Sequence, residues 1–196
     1  MGQRLNVEIW NNGKVLANAY YHWSAYTSAA AEIIDKALAA AKIFSMSENE
    51  VLYAVRLLES TGAGLTESER EHICEQLALK DYDFKECMGR NSGLIAVTDE
   101  GIRETRYWEE GVARIYVDEK RISFRVFCSQ PSWEWKRERM EDYGEADADP
   151  ADLQVVDFNL DDIKFDDWGV AHAFLRKIEE PFKTRMNYHY VITPIW

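Results

Sequence analysis

Asn12-Gly13, set between two runs of alternating apolar residues, constrains this chain more than any other pair. Both central residues of the tightest hairpin turns need φ > 0, which Asn and Gly tolerate and most residues resist. Leu5, Val7 and Ile9 alternate before the pair, and residues 15–23 supply the return strand. The spacing predicts a hairpin in which Ile9 pairs with Leu16 and Leu5 with Tyr20. In that register Asn18, Tyr20 and His22 share a face with Leu5 and Val7, while Arg4, Asn6 and Glu8 point the other way. One β-bulge would bring the two polar sets together.

Helical spacing takes over after the hairpin. Thr27 or Ser28 offers an N-cap, and Ala30, Ile33, Ile34, Ala37, Leu38, Ala41 and Phe44 form one stripe. Ser47-x-x-Glu50 and Thr66-x-x-Glu69 are successive capping-box patterns. The first predicts a helix buried through Val51, Leu52, Val55 and Leu58 and ended by Gly62 and Gly64. The second predicts a helix to about Leu79, with Ile73 and Leu77 inward.

Residues 94–98, 102–108, 112–118 and 121–128 then read as four strands. Asp99-Glu100-Gly101 and Glu109-Glu110-Gly111 each fit a three-residue loop closed by a glycine in the left-handed region. The link around Glu119-Lys120 lacks glycine and leaves its turn type open. In the simplest register Ile115 faces Phe124 and Arg114 faces Arg125. Like charges opposite each other are unfavourable, so something acidic should lie close, with Arg103 and Arg106 able to add to the positive patch. Farther on, residues 153–158 read as a strand, 166–180 as a helix stopped by Pro181, and 183–193 as a last alternating strand. The expected fold is α+β in one domain, 1–196: an N-terminal β-hairpin, a three-helix block, a four-stranded antiparallel meander, and a C-terminal helix and strand.

The formal net charge is −12, and it is unevenly placed. Residues 141–167 hold eleven acids and one base, Lys164; the remainder holds 24 acids and 22 bases. The same segment contains Leu153, Val155, Val156, Phe158, Leu160, Ile163 and Phe165, which a purely solvating tail lacks. It reads as folded on one side and acidic on the other. The plain interpretation is a solubilising face; the sharper one is a surface that competes with nucleic acid for a basic partner. The field of such a segment repels phosphate, so direct nucleic-acid binding is not expected.

Three cysteines, Cys74, Cys87 and Cys128, give an odd count with long spacings. They imply no disulfide framework and fit a reducing, cytoplasmic setting. No apolar run reaches the roughly 18 residues of a membrane span. Nucleotide-loop, zinc-protease and nucleophile-elbow motifs are missing, and no cofactor is implied. His72 and Cys74 stand two apart on a helix and diverge. Asp157-x-Asn159-x-Asp161 begins like a calcium loop, but Asp162 stands where glycine is required.

The leading reading is a non-enzymatic protein–protein interaction protein, a small regulator or inhibitor acting on a basic, nucleic-acid-binding partner. Its binding candidates are Asp157, Asp161, Asp162, Asp166 and Asp167, with Trp133 and Trp135 as aromatic anchors. The alternative is a small enzyme or nucleotide- or anion-binding protein built on the hairpin region from Arg4 to Tyr26. There His22, Tyr20 and Glu8 are the catalytic candidates, and Arg114 and Arg125 a separate anion-binding pair.

Overall fold

A computed structural model describes residues 4–25, 27–41, 43–47, 49–80, 82–89, 92–107, 109–126 and 154–159. The hairpin is present as β1 (Leu5–Asn11) and β2 (Lys14–Tyr21). Asn12 and Gly13 both take positive φ, 48° and 72°, as a primed two-residue turn demands. The register departs from the simple one. Asn11 pairs with Lys14 and Trp10 with Val15, but the pairing then slips, and Ile9 meets Ala17 rather than Leu16. Leu5 meets Tyr21, not Tyr20. A bulge at Leu16 accounts for the shift: two residues of β2 are spent against one step of β1.

Three helices follow: α1 (Thr27–Ala41), α2 (Glu50–Ser60) and α3 (Glu67–Leu77). The α1 stripe is buried through Ala30, Ile33, Ile34, Ala37 and Leu38. The Ser47 capping box does not form. Asn49 caps α2 instead, its Oδ1 accepting from the N–H groups of Val51 and Leu52 at 2.9 and 3.0 Å. Asn is among the strongest N-cap residues, and it stands directly before the apolar run. Thr66 does cap α3, accepting from Glu69 N at 3.3 Å.

The expected four-stranded meander does not form. Residues 94–96 form β4 (Leu94–Ala96), but Asp99–Arg106 is a helix, α4, where a strand was expected. Thr98 caps it through Gly101 N at 3.0 Å, with Asp99 and Glu100 in its first turn and Arg103 and Arg106 in its last. That charge order suits the helix dipole. Ile102 and Thr105, three apart, are its buried positions. Of the expected meander pairs, β5 (Gly111–Tyr116) with β6 (Arg121–Val126) is antiparallel as expected, and the separately expected strand β7 (Gln154–Asn159) pairs antiparallel with β6. The link between β5 and β6 turns at Lys120, a non-glycine residue with φ 48°.

The described strands form one mixed sheet in the order β3-β4-β2-β1-β5-β6-β7, where β3 is the short Gly64–Leu65. β1 is central, antiparallel to β2 and parallel to β5. The β4–α4–β5 connection therefore crosses over both hairpin strands. Leu5, Val7, Ile9, Ala17, Ala19, Ala113, Ile115 and Ile122 share one core with α1 and α2. Burying each of the large aliphatic side chains contributes about 1.5–3 kcal/mol. α4 lies on the opposite face, where the polar residues of the hairpin point. No helix among the described residues is long and apolar enough to cross a membrane. The expected C-terminal helix and last strand fall outside the described residues.

Candidate functional site

The bulge decides what the hairpin presents. With Leu16 absorbed, Asn6 stands opposite Tyr20 and Glu8 opposite Asn18, so the two polar sets share one sheet face. On its other side β1 places Glu8 beside Arg114 of β5. Asn6, Glu8 and Asn18 are each 0 % exposed, in the middle of a sheet whose other face is apolar.

Glu8 gathers three donors. Arg106 Nε donates to its Oε1 at 2.5 Å. Arg114 Nε and Trp10 Nε1 donate to its Oε2 at 2.9 and 2.7 Å. α4 supplies Arg106, and β5 supplies Arg114. The Arg114 guanidinium also lies 5.8 Å from the Trp10 ring centre, and Trp10 packs on Tyr116 at the same centroid separation. Burial alone would lower the Arg114 pKa; the charge and hydrogen bond of Glu8, with Tyr116, outweigh it and the net shift is upward.

Beside this cluster lies a neutral one. Asn18 Nδ2 donates to Asn6 Oδ1 at 3.0 Å and to Thr105 Oγ1 at 2.6 Å. Asn6 Nδ2 reaches Glu109 Oε2 at 3.4 Å. Asn18 Oδ1 is buried without a hydrogen-bond partner among the described residues. The α4 anchor comes from α3. Glu69, 7 % exposed, accepts from Val97 N, Thr98 N and Thr98 Oγ1 at 2.9, 3.1 and 2.7 Å. The Thr66 capping motif is thus answered on one side only, because the Glu69 carboxylate serves the β4–α4 junction.

Tyr20 and His22 are brought together, Tyr20 Oη lying 3.0 Å from His22 Nδ1. Trp23 meets the His22 ring edge-on at 5.0 Å, half exposed and with φ 60°. Glu8 shares the sheet face with Tyr20, but its described partners are Arg106, Arg114 and Trp10. Arg114 stands opposite Ser123, not Arg125, and Arg125 stands opposite Val112. Ile115 likewise meets Ile122 rather than Phe124. The shift removes the direct like-charge pair, and the acid that Arg114 needed is Glu8. Arg103 stays exposed beside Glu100 at 3.9 Å. Asp157 lies in β7, opposite Ser123. Asp161, Asp162, Asp166, Asp167, Trp133 and Trp135 lie outside the described residues.

Trp10 and Thr105 were not among the sequence candidates. Trp10 looked like the end of an alternating strand, and Thr105 stands out only once 99–106 is read with a helical period. A cavity of about 300 Å³ between α3 and residues 82–84, lined in part by Arg70, Cys74 and Tyr82, contains none of the cluster residues. The chain matches no protein-family model, and comparisons with curated proteins and with solved structures find no match.

Proposed function

We propose that this chain is a non-enzymatic binding protein that acts through protein–protein contacts, its acidic segment competing with nucleic acid for a basic partner. The observation that carries the reading is the placement of charge. Ten of the twelve net negative charges belong to residues 141–167, and the rest of the chain is nearly neutral. β7, inside that segment, pairs with β6, which supports a segment joined to the sheet at residues 154–159. Carboxylates spaced along such a segment can occupy sites built for phosphates.

The hairpin adds support from the other direction. A catalytic Glu8 needs an open acceptor position towards its substrate. Glu8 is fully buried, and its two oxygens accept from Arg106, Arg114 and Trp10, which supports a carboxylate engaged within the fold.

The test is an affinity measurement on the full chain as salt is raised. Between about 0.01 and 1 M salt the screening length falls from roughly 30 to 3 Å, so binding to a basic partner should weaken steeply. Charge reversal at Asp161, Asp162, Asp166 and Asp167 should weaken it at low salt as well. Affinity unchanged in both arms overturns the reading.

A further inference from the structure

We propose that the polar sheet face around Arg106 and Arg114 is a binding site for a doubly charged oxyanion, a phosphate group on a small molecule or free in solution. It is separate from the acidic segment and does not depend on that segment's role.

Two guanidiniums from different elements converge on one carboxylate, at 2.5 and 2.9 Å from its two oxygens. Glu8 is 0 % exposed, while the Arg106 and Arg114 side chains remain 37 % and 38 % exposed. The carboxylate is the floor, and the guanidiniums are the rim. Glu8 takes Nε of each fork in this arrangement; a guanidinium has five N–H donors and binds oxyanions through paired ones. Holding both forks at one carboxylate removes in advance most of the rotamer freedom that a flexible arginine loses on binding. Trp10, under its guanidinium, and Tyr116, through a side-chain hydrogen bond, brace Arg114 further.

Stability alone is a poor reason for such a cluster. Of the three charges only that of Glu8 is buried, and burying it carries a desolvation cost that an apolar side chain there would not. The opposite face of the same strand, Leu5, Val7 and Ile9, shows that this sheet packs apolar residues readily. A ligand for the two guanidiniums supplies the missing reason. Glu8 offsets one of the two positive charges.

The experiment is calorimetric titration of the full chain with inorganic phosphate, pyrophosphate and succinate at fixed ionic strength. The expected result is saturable phosphate or pyrophosphate binding with a Kd of about 1 mM or tighter. Arg106→Gln and Arg114→Gln should each weaken it about tenfold or more. If a glutamine variant does not fold, Arg114→Lys keeps the charge but loses the planar fork, and the same weakening is expected. Phosphate binding weaker than about 1 mM overturns the proposal. So does equal binding by wild type and folded arginine variants, and so does binding of succinate without either phosphate.

Discussion

Glu8 Oε1 accepts a hydrogen bond from Arg106 Nε at 2.5 Å, joining the central strand to the last turn of α4 across 98 positions of sequence. The contact holds because Glu8 is fully buried and Arg106 is not: the carboxylate has no access to water and draws its partners inward. With Arg114 on the other oxygen, one side chain fastens α4 and β5 to the hairpin.

Glu8→Gln should therefore destabilise the fold. Removing one partner of a buried ion pair costs about 3–5 kcal/mol, because a charge is left uncompensated. Here the residual charges sit on half-exposed arginines, so the expected loss is lower, about 2–3 kcal/mol. Urea denaturation of wild type and variant measures it. A change below about 0.5 kcal/mol, the range of ordinary surface substitutions, would show that the cluster does not fasten these elements.

The junction that positions α4 should be equally sensitive. A Cβ on Gly101 would meet the Glu69 carboxylate and lie 3.0 and 3.1 Å from Thr98 Oγ1 and Ala96 Cβ. Gly101→Ala should cost about 1–3 kcal/mol, as overpacking does, despite alanine's better helix propensity. A thermal melt reads the sign: a stabilised variant would mean that Glu69 is free to move and does not clamp the junction.

Glu59 gives a pH signature. Burial raises its carboxyl above the ordinary 4.5, opposed in part by the Lys85 N–H, which donates at 2.6 Å, and by the Lys85 and Arg56 charges. A raised folded-state pKa contributes stability that is present below the unfolded value and lost as pH rises through the folded one. The stability of Glu59→Gln relative to wild type should thus increase from below pH 4.5 towards neutrality. Chemical denaturation across that range checks it, and a difference that shrinks with rising pH would contradict the assignment.

Local chemistry made much of this fold legible in the sequence. Asn12-Gly13 announced the hairpin, the alanine-rich stripe announced α1, and Thr66 announced the start of α3. What stayed hidden depended on ambiguity or on distance. Asp99-Glu100-Gly101 suits both a three-residue loop and a first helical turn, and eight residues are too few for the period to choose. The bulge carries no marker, because the extra residue, Leu16, is apolar like its neighbours and no glycine or proline flags it. That single residue decides whether Glu8 and Asn18 share a face. The need of Arg114 for an acid could be read from its strand, but the acid lies 106 positions away. The concentration of charge in residues 141–167 is a property of the sequence itself and needed no structure to find.

Affinity capture from the source cell asks whether those acids engage a basic protein. The bait is the full chain, run beside its Asp161→Asn, Asp162→Asn, Asp166→Asn, Asp167→Asn variant. The expected result is a basic, nucleic-acid-binding protein retained by wild type at low salt, lost from the folded variant and displaced by added nucleic acid. Equal recovery on both baits, or retention indifferent to nucleic acid, would show that these acids do not stand in for phosphates.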